Sequence, residues 1–314
     1  MTLQRHHEER HGAAPEAVRA APATHRRAAL VSTAAGLLLA VVWSFELVDS
    51  VIGDTVANGV LGHDAKATAL TGTGAGLLFA LVSGFAGTFT ACNIAMVASI
   101  GPMSQAGRTP RTAAGAWRPL LRTIGLLAAG MLPVAAAYGA LGVLLGDRLP
   151  QLSTASVGDM PVRLIQSSVV FGLIGLALLY LGLAALGVVP DLFAGRPAGR
   201  VVVLGALIGG FLIGRPYPLF NKLFHWAVDT GNPVYGALAF ALQSLGNILV
   251  VTVLFAALVL LSRGRFLRWM ADPRRSVVVT GSLLVALGVF TVVYWDLRVP
   301  AHFGVGWFPS MPYN

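Results

Sequence analysis

The 314-residue chain carries 56% hydrophobic side chains, only 11% charged ones, 37 glycines and a single cysteine. Soluble domains devote about a quarter of their residues to Asp, Glu, Lys and Arg, so a water-soluble globule is excluded. One cysteine excludes an internal disulfide framework and a four-cysteine zinc cage. The net charge of +9 would favour phosphate backbones, but the basic residues fall in short runs between apolar stretches and no nucleic-acid-binding motif occurs. The expected partner is the lipid bilayer, not nucleic acid.

Residues 1–27 are polar, with His6, His7, His11 and His25 among Arg, Glu, Ala and Pro. That composition predicts a disordered basic cytoplasmic tail, and the histidines lack the regular spacing of a metal-binding tract. Crossing a hydrocarbon core of about 30 Å takes about 20 apolar residues in a helix. Seven segments qualify: 28–47, 69–102, 120–145, 163–189, 201–220, 236–262 and 276–295. No small-residue cleavage site follows the first before the acidic Glu46, Asp49 and Asp54, so it is expected to stay as an extra helix. The second is too long for one straight span, and Gly84, Gly87 and a polar cluster of Thr88, Thr90, Cys92 and Asn93 predict a break there.

The connections encode orientation. Arg5, Arg10, Arg19, Arg26 and Arg27 precede the first span, and Arg108, Arg111, Arg118 and Arg122 follow the second. Arg196 and Arg200 follow the fourth, and Arg263, Arg265, Arg268, Arg274 and Arg275 follow the sixth. With seven spans these sixteen of the 22 Lys and Arg share one side. The chain is therefore expected in the cytoplasmic membrane as a multi-pass protein, N-terminus cytoplasmic and C-terminus extracytoplasmic. The tail 297–314 contains Trp307, Phe308, Met311 and Tyr313, read as an aromatic belt at the outer interface.

Spans two to four and five to seven look alike. Ser83-Gly84-Phe85 corresponds to Gly209-Gly210-Phe211, and each is followed by residues a plain helix avoids: Thr88–Asn93 in one, Arg215-Pro216-Tyr217-Pro218 in the other. Three helices is an odd number, so the second copy must be upside down relative to the first. The predicted fold is an all-α membrane protein of seven transmembrane helices, two inverted three-helix repeats (69–190 and 200–296) preceded by one extra helix. Transporters built this way bind solute where paired helices are interrupted.

At these residues the chain resembles the cytochrome c biogenesis (CcdA) and DsbD transmembrane-domain family, within the broader group of LysE-like exporters. In that family a Gly/Phe-rich stretch leads to a Pro-Cys motif in the first helix of each repeat. Here Thr90-Ala91-Cys92 and Arg215-Pro216-Tyr217-Pro218 stand in those places, and Gly236-Ala237 running on to Ser244-Leu245-Gly246 is similar to the family's fifth helix. The resemblance spans about 69–296. It implies movement of reducing equivalents across the membrane to an extracytoplasmic thiol protein, with Cys92 as the reactive thiol. The second cysteine position falls on Tyr217 or Pro218, and thiol–disulfide exchange needs both an attacking and a leaving sulfur. Dithiol relay is therefore not expected from this chain alone.

Arg215 is the most informative charge, about 14 residues into span five. A guanidinium in hydrocarbon costs roughly 2.5–3.5 kcal/mol, so it faces a cavity or partner, or the span ends at Gly214 and the side chain snorkels to the headgroups. Pro216 and Pro218 break the helix and are expected to leave free carbonyls. Cys92, with Met96 one turn on, is either a soft-metal ligand or a small buried apolar residue. Thr88, Thr90 and Asn93 either complete a site or join helices. Gln243 and Asn247 put amides one turn apart on span six, as a solute contact or as interhelical glue. The candidate site is thus Cys92 as the catalytic thiol, with Thr88, Thr90, Asn93, Arg215, Tyr217, Gln243 and Asn247 contacting substrate. No metal centre, cofactor or nucleotide motif is expected. The leading expectation is a membrane protein moving reducing equivalents or a small solute. The alternatives are a soft-metal-ion or small-thiol transporter and a non-catalytic assembly partner of a redox complex.

Overall fold

The computed structural model describes residues 23–44, 46–87, 113–262, 265–270 and 272–309. The described chain is mostly helical. Helix α1 (Ala23–Val42) leads through a π-helical turn (Leu47–Gly53) into α2 (Asp54–Leu61), then α3 (Thr73–Gly87). After α4 (Ala113–Leu145), two 3₁₀ turns and a hairpin pairing Val157 with Met160 lead into α5 (Val162–Ala185). Helices α6 (Pro197–Gly210), α7 (Pro218–Asp229), α8 (Pro233–Leu261), α9 (Arg265–Met270) and α10 (Pro273–Val292) follow. A π-helical turn (Val293–Arg298) and α11 (Val299–His302) close the order.

Local chemistry sets these boundaries. Proline opens α6, α7, α8 and α10 at a first-turn position, where its missing N–H costs nothing and its fixed φ is already helical. Asn232 caps α8 by accepting from the Val234 amide at 2.9 Å, and Asp272 caps α10 by accepting from Arg274 at 3.0 Å.

Among the described residues five helical segments are long and apolar enough to cross a membrane: Ala23–Val42, Leu120–Arg148, Val162–Ala185, Pro233–Leu258 and Pro273–His302. Two of the seven expected spans are not among these five. Helix α3 is described to Gly87, and residues 88–102 of that expected span lie outside the described residues. Span five, expected over 201–220, is helical only to Gly210 and resumes as α7. The first helix is already formed at Ala23, where the described residues start, ahead of the expected 28, because hydropathy marks where apolar residues begin and not where the backbone coils. His25 continues the helix and its Nδ1 donates to Leu186 O at 3.0 Å. The expected tail over 1–27 otherwise lies outside the described residues.

Helix α5 packs along α10, α4 contacts both α6 and α8, α3 lies on α8, and α1 lies on α10. Small residues permit these approaches. A Cβ on Gly139 would fall 2.3 Å from Gly236 O, and one on Gly236 would fall 2.5 Å from Gly139 O, so the α4 and α8 backbones touch there. The Gly205 and Gly209 pair lies likewise on the Leu127 and Met131 carbonyls of α4. Two apolar clusters form the core. One joins α1, α4, α5, α6, α8 and α10; the other joins α2, α3, α4, α7 and α8. In the second, Phe220 and Phe224 meet Phe240 edge-on at 5.3 and 5.4 Å, the geometry that ring quadrupoles favour. The outer faces expose Leu30, Leu38, Leu144, Leu173, Leu249 and Leu261. An apolar surface on this scale has no place in water; it suits a bilayer, and the chain is a multi-pass membrane protein.

Candidate functional site

The interruption between α6 and α7 organises the most polar part of the interior. Helix α6 tightens as it ends: Phe211, Leu212 and Ile213 donate to the carbonyls of Ile208, Gly209 and Gly210 at 3.2, 3.1 and 2.9 Å. Gly214 then takes φ +81°, a left-handed turn that a side chain would strain. Pro216 and Pro218 keep the next residues extended until α7 starts.

The carbonyls expected to be free are not. Ser167 Oγ of α5 reaches Gly214 O, and the Gly214 amide faces Tyr138 Oη at 3.5 Å. Gln151 Nε2 donates to Arg215 O at 3.0 Å and to Asn221 Oδ1 at 2.6 Å. Asn221 in turn donates from Nδ2 to Pro216 O at 3.4 Å and from its amide to Tyr217 O at 2.9 Å. Side chains from α4, α5, α7 and the 3₁₀ turn therefore satisfy the broken backbone, as a water-poor interior demands.

The Arg215 side chain is 7% exposed, so it points into the protein and does not snorkel outward. Its guanidinium rests on Gly87 at the end of described α3, where an added Cβ would fall 2.6 Å from Nη2. Its Cζ sits 4.5 Å from the Tyr217 ring centroid, in cation–π range. No carboxylate among the described residues pairs with it. A small cleft of about 20 Å³, room for about one water, is lined by Arg215, Tyr217, Ser83, Gly87, Gln243 and the first residues of α7, Leu219 and Phe220. Gln243 is 1% exposed and its Oε1 has no hydrogen-bond partner among the described residues. Next to it, Ser244 is fully buried, and its Oγ has no partner among the described residues.

Of the residues singled out by sequence, Arg215, Tyr217 and Gln243 thus share one cleft. Asn247 is buried one turn farther along α8 and does not line it. Cys92, Thr88, Thr90 and Asn93 lie outside the described residues. Sequence reasoning missed Gln151, Ser167, Tyr138 and Asn221, which hold the break, and Gly87, which seats the guanidinium. Only Gly87 carried a signal, as one of the glycines predicted to mark an interruption.

Among the described residues no three His, Cys, Asp or Glu side chains gather as metal ligands. Asp54 pairs with Lys66 at 2.6 Å. Asp64, in the loop before α3, accepts from the Ala67 and Lys66 amides, which hold its carboxyl below the usual carboxylate range. No protein-family model matches this chain, and no curated protein or solved structure matches it either.

Proposed function

We propose that this chain is a carrier of a small anionic solute, with seven crossings in two inverted three-helix halves behind an extra first helix, working by alternating exposure of the Arg215 cleft. The observation that carries the reading is an arginine only 7% exposed at the break between α6 and α7, with no carboxylate partner among the described residues. A buried charge is costly unless compensated, and an arriving anion supplies the compensation. Leu219 and Phe220, in the first turn of α7, share that cleft, so the positive end of a helix reinforces the arginine.

The helix contacts support the repeat. Helix α3 lies on α8 and α6 lies on α4, so the leading helix of each half packs on the second helix of the other. An in-plane two-fold axis requires that exchange. The resemblance to the CcdA/DsbD family points to a related architecture. Its dithiol chemistry needs two sulfurs, and the chain has one cysteine, which favours solute passage over electron relay.

The test is uptake into proteoliposomes of sulfate, thiosulfate, acetate and pyruvate, by wild type and by Arg215→Ala, Arg215→Lys, Gln243→Leu and Cys92→Ser. At least one anion is expected to accumulate above protein-free liposomes. Arg215→Ala should lower its rate at least tenfold, and Arg215→Lys should restore part of it. No uptake of any anion, or uptake unchanged in Arg215→Ala, overturns the reading.

A further inference from the structure

A second, larger cleft of about 730 Å³ opens where the segment after α1, the start of α5, the π-helical turn at Val293–Arg298 and α11 meet the C-terminal segment. Its size falls within the roughly 300–1,000 Å³ of small-molecule sites. The walls are aromatic: Tyr294 and Trp295 from the π-helical turn, with Phe303, Trp307 and Phe308 beyond α11. The Tyr294 and Trp295 rings are buried and fixed, with Trp295 edge-on to Phe171 at 4.5 Å and Tyr294 5.5 Å from Phe290.

One cation faces this space. Arg298 Nη1 donates to Ala40 O at 2.6 Å and to Trp43 O at 2.8 Å, at the C-terminal end of α1, and its Cζ lies 5.1 Å from the Tyr294 ring centroid. These contacts fix the guanidinium plane. They use Nη1 alone, and an arginine has three further N–H donors on Nη2 and Nε. No described residue accepts a hydrogen bond from those, and no described carboxylate pairs with Arg298. Glu46 lines the same cleft but is exposed, where solvent screens its repulsion.

We infer that this cleft binds an amphipathic organic anion, its charged head on Arg298 and its flat apolar body between Trp295, Phe303, Trp307 and Phe308. A fixed guanidinium with spare in-plane donors recognises carboxylate, sulfonate or phosphate, and the rings supply the apolar enclosure. The inference does not need solute to cross the membrane at Arg215. The cleft does touch the interrupted helix at Pro216, so an occupant would lie directly behind the Arg215 turn.

The experiment uses the full chain in phosphatidylcholine nanodiscs, titrated calorimetrically with 1-anilinonaphthalene-8-sulfonate, with empty nanodiscs subtracted. Saturable one-site binding is expected. Ala301→Trp, which fills the cleft with an indole, should weaken it at least tenfold, and Arg298→Gln should do the same. N-phenyl-1-naphthylamine, which lacks the sulfonate, should bind at least tenfold more weakly than the sulfonate. Replacing part of the lipid with phosphatidylglycerol separates the two sources of such an anion. Competition identifies a lipid headgroup and its absence a soluble anion, and either supports the site. No saturable heat above empty discs, equal affinity in wild type and Ala301→Trp, or equal affinity for the uncharged analogue overturns it.

Discussion

Gly87 sets the position of the Arg215 guanidinium. An alanine methyl there would fall 2.6 Å from Nη2 and 3.2 Å from Cζ, and what must yield is the far end of a long side chain, not backbone. Gly87→Ala is therefore expected to change stability by about 1 kcal/mol at most while lowering anion uptake severalfold. Gln151→Leu should behave in the opposite way. It leaves Arg215 O and Asn221 without their partner and should cost about 1–3 kcal/mol. Thermal unfolding in detergent, read beside uptake, separates the two. A Gly87→Ala variant as destabilised as Gln151→Leu would mean that the guanidinium is locked packing and not a ligand. Arg215 was legible in the sequence because a charge and two prolines inside an apolar run break two helix rules together. Gln151 was not, because it lies in a turn 64 residues from the carbonyl it serves, and no local pattern records a partner at that distance.

The elements were legible in proportion to how apolar and continuous they are. Spans expected at 163–189, 236–262 and 276–295 are α5 (Val162–Ala185), α8 (Pro233–Leu261) and α10 (Pro273–Val292), displaced by a few residues because caps and prolines set the ends. Helices α2 and α7 were not anticipated: α2 is too short to raise a hydropathy window, and α7 was absorbed into span five and the loop after it. Contacts between elements rest on glycine, and two positions should respond oppositely to one methyl group. At Gly84 a Cβ would fall 2.1 Å from Gln243 O and 3.0 Å from Gly246 Cα, both backbone atoms of α8. Gly84→Ala must part α3 from α8 and is expected to cost about 1–3 kcal/mol. At Gly125, on the exposed face of α4, a Cβ meets nothing within 4 Å, and alanine should add about 0.5–1 kcal/mol through helix propensity. Unfolding midpoints of the two variants in one detergent check the contrast, and a neutral Gly84→Ala would refute the close α3–α8 approach.

At the scale of the whole molecule the open quantity is the number of crossings, and charge and length bear on it differently. Helix α6 has 14 residues, about 21 Å at 1.5 Å per residue, short of the roughly 30 Å hydrocarbon core, and α3 is described over 15 residues, to Gly87, where the described residues stop. Counted by length alone among the described residues, five helices cross. Counted with interrupted spans, seven do, and the arginine-rich connections then fall on one side. Both counts are odd, so the two termini oppose each other either way and a terminal reporter cannot tell them apart. The 190–200 connection can. With seven crossings it follows four and lies on the N-terminal, cytoplasmic side with Arg196 and Arg200; with five it follows three and lies outside. Leu192 is 76% exposed there and Trp307 is 83% exposed near the C-terminus, so each accepts a probe without disturbing packing. In a Cys92→Ser background, Trp307→Cys is expected to react with a membrane-impermeant maleimide on intact cells. Leu192→Cys should react only after the membrane is opened. Equal labelling of both on intact cells would leave α3 and α6 as helices that enter the bilayer without crossing it. The inverted repeat would fall with that result, because its two leading helices would no longer carry the chain from one side to the other.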